Sequence, residues 1–156
     1  MRAGGFRAII STLGRVRNDT ALPPDVIGTK NIVDAAKSAG IQRLIVVTII
    51  GPGKSISMVP VQQRASLASS IAMKTEAEDY IVASGLHYTI VRPGQLTNNP
   101  RSGIIKLSLE PEPTGPVTRG DLADMVVLCL DRRDSVKKIY QVIGDDPKAT
   151  VRMDRQ

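Results

Sequence analysis

The chain has 156 residues, 42% hydrophobic and 23% charged, with 13 Gly and 10 Pro, a composition that bounds it to one globular domain, near the small end for a dinucleotide fold of two βαβαβ halves. It holds no uninterrupted run of the roughly 20 apolar residues a spanning helix needs, and the opening MRAGGFRAII lacks the cationic region, apolar stretch and small-residue cleavage site of a secretory signal. The 21 Lys+Arg against 15 Asp+Glu give +6, gathered at the ends (Arg2, Arg7, Arg15, Arg17, then Arg132, Arg133, Lys137, Lys138, Arg152, Arg155), yet no Trp, one Phe and three Tyr offer no stacking platform, so a solvated basic surface is expected and nucleic acid is not.

In chain order, Ala8-Ile9-Ile10 followed by Ser-Thr-Leu-Gly reads as a short buried parallel strand that ends in a small polar loop, its carboxyl end facing a ligand crevice. After the turn-rich RNDTALPPD, the start signal Pro23-Pro24-Asp25 leads a helix with Thr29, Ile32, Val33, Ala36 and Ala39 at helical spacing, stopped by Gly40. Leu44-Ile45-Val46-Val47 is a second parallel strand ending in Thr48, before the loop Ile49-Ile50-Gly51-Pro52-Gly53. Residues 54–66 show no clean period and contain Pro60, so they read as a loop or lid before a helix over 67–84. Its inward stripe is Ser70, Met73, Ala77, Tyr80, Ile81 and Ser84, with Gly85 as cap and Lys74 on the border, either snorkelling or pointing toward the crevice.

Tyr88-Thr89-Ile90-Val91 is the third strand, and residues 104–109 form a short strand of a substrate-side extension. Thr118-Arg119-Gly120-Asp121 opens a helix with good capping chemistry, in which the lone Cys129 reads as a buried small hydrophobe. A last strand covers 138–143 and a polar tail follows over 144–156. The order gives an α/β fold, an open, mostly parallel sheet with helices on both faces, in one domain over 1–156. No metal-ligand set is read from the sequence.

The segments AIISTLG, VIGTKNIVDAAKSAGIQRLIVVTIIG, KTEAEDYIVASGLHYTIVRPGQLTN and PVTRGDLADMVVLCL, in this order and spacing, resemble the second half of the atypical short-chain dehydrogenase/reductase family, in its NmrA-like and flavin reductase/biliverdin reductase B group. The resemblance covers residues 4–144 and implies a Rossmann-like sheet that binds NAD or NADP. It implies that Ser11, Thr12, Leu13 and Gly14 pass beside the adenine-side ribose and the pyrophosphate, that Thr48 and Ile49 border the nicotinamide ribose, and that Pro93, Gly94, Gln95 and Leu96 approach the carboxamide. Lys74 matches the family lysine that hydrogen-bonds the nicotinamide ribose, the one catalytic position implied; the tyrosine acid four residues earlier in Tyr-x-x-x-Lys members is Ser70 here.

The resemblance also implies an N-terminally truncated sheet, without the family's first three strands and glycine-rich loop. The Gly4-Gly5 pair precedes a strand instead of joining one to a helix, so it is no substitute. The strand at residues 8–10 is then expected to be an exposed edge through which the chain self-associates. The functional expectation is an NAD(P)H-dependent reductase of flavin or quinone type, or a fragment of one, with a small planar acceptor. A non-catalytic NmrA-like sensor or interaction module is the alternative, and a reducing, cytoplasmic setting is the default.

Overall fold

The computed structural model describes residues 5–14, 24–113 and 115–144. Arg2, Gly4, Arg15, Arg17, most of the RNDTALPPD turn, Arg152, Arg155 and the tail beyond Gly144 lie outside the described residues.

The apolar runs form the strands and the amphipathic ones the helices: β1 (Ala8–Ser11), α1 (Pro24–Ser38), β2 (Arg43–Val47), α2 (Val61–Ala83), β3 (His87–Pro93), β4 (Leu96–Thr97), β5 (Ile105–Ser108), β6 (Val117–Thr118), α3 (Arg119–Asp131) and β7 (Lys138–Gly144). The main sheet runs β1-β2-β3-β7-β5, and β4 pairs with β6 beside it. β1, β2, β3 and β7 are parallel, with Ile10 level with Ile45, Val46 with Ile90, and Val91 with Tyr140.

Strands covered on both faces are mostly apolar, as at Leu44–Val47 in β2 and Ile90–Val91 in β3, with the charged Arg43 and Arg92 at strand ends. On one face Leu44, Val46, Tyr88 and Ile90 pack under Val33 and Ala36 of α1 and Ile81 of α2. On the other, Ile45, Val91 and Val142 pack under Leu122, Met125, Val126 and Cys129 of α3. Cys129 is fully buried, and that burial pushes its thiol pKa up, as suits a small hydrophobe. Arg43 ties the base of the sheet to the end of α3: its guanidinium donates to the His87 carbonyl and Ser135 Oγ, both at 2.8 Å, and to the Cys129 carbonyl. A cation at a helix C-terminus complements the helix dipole there.

Two elements differ from the sequence reading. α2 begins at Val61, so half of the expected loop over 54–66 is helix, preceded by a 3-10 helix at Gly53–Met58. Its first turns carry no apolar period because they touch little: Val61, Gln62, Gln63, Ala65, Ser66 and Ala68 are all exposed. Pro60, read as a helix breaker, stands just before the first helical residue, where a missing N–H costs nothing. The strand expected in a substrate-side extension, β5, instead joins the main sheet antiparallel to β7, pairing Leu107 with Val142.

Among the described residues β1 pairs only with β2, which makes it the sheet edge the sequence reading expects. Phe6, 70% exposed, leads into it. An unpaired, apolar edge templates strand addition, so the chain is expected to self-associate as its concentration rises, and Phe6→Lys to shift it toward monomer in sedimentation velocity. A wild type that stays monomeric at tens of micromolar would contradict this.

Candidate functional site

Parallel strands end together, and ligands of open α/β sheets lie beyond their carboxyl ends. Here β1, β2 and β3 end at Ser11, Val47 and Pro93. Beyond them is a cavity of about 740 Å³ walled by Thr12, Leu13 and Gly14 after β1, Thr48 and Ile49 after β2, and Leu96. Asp25 of α1, Ser70 and Lys74 of α2, and Arg119 and Leu122 of α3 complete the rim. Seven of the eleven expected residues are therefore on one wall: Thr12, Leu13, Gly14, Thr48, Ile49, Lys74 and Leu96. Ser11, Pro93, Gly94 and Gln95 are not on it. Ser11 is buried, its Oγ facing the Leu13 N–H at 3.4 Å; the Pro93 carbonyl accepts from Ile50 N–H at 3.2 Å and the Gln95 carbonyl from Val117 N–H at 2.8 Å.

The Lys74 side chain is buried, not snorkelling. Its Nζ donates to the Leu13 carbonyl at 2.8 Å and lies 2.5 Å from Asp25 Oδ1. With side-chain exposures of 11% and 4%, the pair belongs to the cavity wall and not to the surface. Gly28 lets the Leu13 side chain lie against α1, since a Cβ there would stand 2.4 Å from Leu13 Cδ2 and turn that terminal methyl aside.

One helical turn on, Glu78 is buried as well. Its carboxylate accepts from Thr48 Oγ1 at 2.7 Å and from Arg92 Nε at 3.2 Å on each oxygen, and Arg92 Nη2 completes the fork. Lys74 and Glu78 thus project from α2 into the interior beside Ala77 and Ile81, giving this helix a polar inward face at i, i+4. The sequence reading named neither Glu78 nor Asp25 as site residues. Both are ordinary helix-surface residue types, and their partners are 14 and 30 residues away or more; only the Arg92-Pro93-Gly94 run hinted at a charged strand end in need of a counter-ion.

On the far rim, the turn at residues 102–104 is gathered onto the start of α3 by one carboxylate. Asp121 accepts from Ser102 N at 2.9 Å, Ser102 Oγ at 2.8 Å, Gly103 N at 3.0 Å and Thr118 Oγ1 at 2.9 Å, while its own N–H donates to Thr118 Oγ1 as the N-cap bond. Burial alone would raise the Asp121 pKa, but these donors outweigh it and the group lies below the ordinary 3.8. A depressed folded pKa means stability that is fully present above the unfolded value and is lost as pH falls through the folded one. Asp121→Asn should therefore lower the unfolding free energy from urea titration at neutral pH by about 1–2 kcal/mol, and lose less than wild type as pH falls into the acid range. Parallel pH profiles for the two would contradict that role.

The NAD(P)H-binding family model matches residues 3–133. The chain belongs to the NAD(P)H-binding family. Within it, the chain is 32% identical to the uncharacterized sugar epimerase YhfK of Bacillus subtilis over 94% of its own length and 68% of that protein. It is 28% identical to sanguinarine reductase of Eschscholzia californica over 80% of its length and 46% of that enzyme. The structure of ChuY, an anaerobillin reductase of Escherichia coli O157:H7, superposes with a TM-score of 0.79 at 29% identity, over 92% of this chain and 66% of that one. The chain thus spans about half to two thirds of the relatives it matches.

The residues present fit part of a nicotinamide dinucleotide. The cavity lies at the carboxyl ends of parallel strands, with an apolar wall for a ring and Lys74, Asp25 and Thr48 for polar groups. Among the described residues no Gly-x-Gly-x-x-Gly turn joins a strand to an α-helix, the element that cradles a pyrophosphate; the Gly51-Pro52-Gly53 loop after β2 leads into a 3-10 helix. No helix of the described residues is long and apolar enough to cross a membrane.

Proposed function

We propose that this chain supplies the nicotinamide side of an NAD(P)H-dependent oxidoreductase, acting on a planar conjugated acceptor of flavin or quinone type. The observation that carries the reading is the placement of the Lys74 ammonium on the wall of a cavity at the carboxyl ends of three parallel strands, with the 12–14 and 48–49 loops around it. In this reading Thr12, Leu13 and Gly14, with Ser11 behind them, follow the adenine-side ribose and pyrophosphate. Thr48, Ile49 and Lys74 hold the nicotinamide ribose, and Leu96, with the Pro93-Gly94-Gln95 backbone, borders the carboxamide. A bound nicotinamide supplies the hydride. The chain's own residues bind, orient and exclude water, so the rate gain comes from proximity.

No tyrosine stands one turn before Lys74; Ser70 does, and it reaches the cavity wall. A serine hydroxyl is a poor acid, so the acceptor takes its proton from solvent, which suits conjugated rings that tolerate transient charge. The same serine favours a second reading, a dinucleotide sensor of NmrA-like type without turnover. Rapid mixing of NADPH-loaded chain with flavin mononucleotide or a benzoquinone separates them. Acceptor-dependent loss of absorbance at 340 nm above the rate without protein supports the reductase, and binding with no such loss supports the sensor.

A further inference from the structure

Arg92 of β3 stands level with Gln141 of β7, and both reach a second, smaller pocket of about 260 Å³ that shares no lining residue with the larger cavity. Its walls are the 53–55 segment of the 3-10 helix on one side and the 109–111 turn after β5 on the other. That turn is clamped: Gln141 Oε1 accepts from the Glu112 N–H at 3.3 Å, Gln141 Nε2 donates to the Glu112 carbonyl, and Ser108 Oγ donates to the Glu112 carboxylate at 2.6 Å. Lys106 is the counter-ion of Glu112. The charged residues that line the pocket are then Arg92 and Lys54 against Glu110.

A guanidinium carries five N–H donors in one plane. Glu78 occupies the side edge of Arg92, taking Nε and Nη2. Nη1 has no acceptor among the described residues and is not sealed from solvent. The free end of the fork, one N–H from each terminal nitrogen, is what Arg92 has left to offer the pocket it lines. Glu78 is itself held by Thr48 Oγ1 at 2.7 Å, so the fork is fixed before a ligand arrives, and donors fixed beforehand lose little freedom on binding.

We propose that this pocket is a binding site for a small monocarboxylate. Two parallel N–H groups match the two oxygens of a carboxylate, Lys54 supplies a second cation, and Leu109, Pro111 and Ile139 offer an apolar wall to the rest of the molecule. Glu78 and Glu110 oppose the two cations, so a single negative charge is accommodated and a dianion is repelled. At about 260 Å³ the pocket is smaller than the roughly 300–1,000 Å³ of drug-sized ligand sites, which limits the body to one ring or a short chain. The site stands apart from the dinucleotide reading and does not depend on it.

Titration of the full, nitrogen-15-labelled chain with benzoate, benzamide and inorganic phosphate at constant ionic strength tests this by amide chemical shift. Benzoate should give saturable shifts at residues 53–55 and 109–111, and neutral benzamide and dianionic phosphate should each bind about ten-fold or more weakly, since neither pairs one charge with a planar fork. No response to benzoate, equal affinity for benzamide, tighter phosphate, or shifts gathered at residues 12–14 and 48–49 would overturn the proposal. Lys54→Glu reverses a charge at an exposed position and should weaken benzoate about three-fold or more without moving the melting temperature; unchanged affinity would count against the site. Arg92→Lys keeps a cation for Glu78 but has no fork, so a folded variant should lose benzoate about ten-fold, and retained affinity would overturn the proposal. Should Arg92→Lys fail to fold, Lys54→Glu and the benzamide comparison still decide.

Discussion

Replacing Glu78 with alanine is expected to cost the fold about 3–5 kcal/mol. The reason is what the substitution leaves behind. Glu78 is the counter-ion of the Arg92 guanidinium, and the two side chains are only 4% and 15% exposed. Without Glu78, a positive charge stays on the sheet with no partner, and Thr48 Oγ1 loses the carboxylate it donates to at 2.7 Å. Against a typical total of 5–15 kcal/mol, such a loss approaches unfolding. The pair itself need not stabilise, since two desolvated charges are often matched by apolar residues of similar shape. Glu78→Leu combined with Arg92→Met should therefore cost clearly less than Glu78→Ala alone. Urea denaturation of both variants decides the point: equal losses would mean that Glu78 contributes by packing, not by compensating charge.

The second large effect falls on Lys74. Lys74→Met keeps the unbranched stem but removes the ammonium that faces Asp25 and the Leu13 carbonyl. The stability cost should be about 3–5 kcal/mol, since Asp25, with its side chain 4% exposed, would be left a buried carboxylate without its counter-ion. The cost to binding should be larger in kind. Lys74 is the one cation of α2 on the cavity wall, and its loss removes both the donor proposed for the dinucleotide and the Leu13 carbonyl contact of the 12–14 loop. NADPH affinity is expected to fall at least ten-fold at temperatures where the variant remains folded, as checked by circular dichroism. Wild-type affinity in a folded Lys74→Met would mean that this lysine is a structural clip.

How far the sequence discloses this protein depends on the range of the interactions involved. The strands were legible because burial on both faces leaves an unmistakable apolar run, as in Leu44–Val47, and α3 because Thr118 and Asp121 form a local cap. The start of α2 was not, since its first turns are solvated and carry no period, and Pro60 has two opposite readings at a helix start. β5 was placed in the wrong company for a similar reason: its pairing with β7 joins Ile105 to Gly144, a contact with no local signature. Of the site, the loop residues Thr12, Leu13, Gly14, Thr48 and Ile49 were implied by the family resemblance, while the strand reading alone gave only a crevice at the carboxyl ends. Asp25 and Glu78 came from neither, because a carboxylate on a helix looks solvated until the fold places a lysine or arginine beside it. Lys74 stood between two readings, and Asp25 resolves them by drawing its charge inward.

The measurement that tests the account most directly is a fluorescence titration of the purified 156-residue chain with NADPH and NADH, run beside light scattering to confirm an unaggregated sample. The account predicts saturable binding in the micromolar range, with enhanced nicotinamide emission as the ring leaves water for the apolar wall. A folded, monodisperse chain that leaves the emission of both dinucleotides unchanged, and retains neither in equilibrium dialysis, would contradict it.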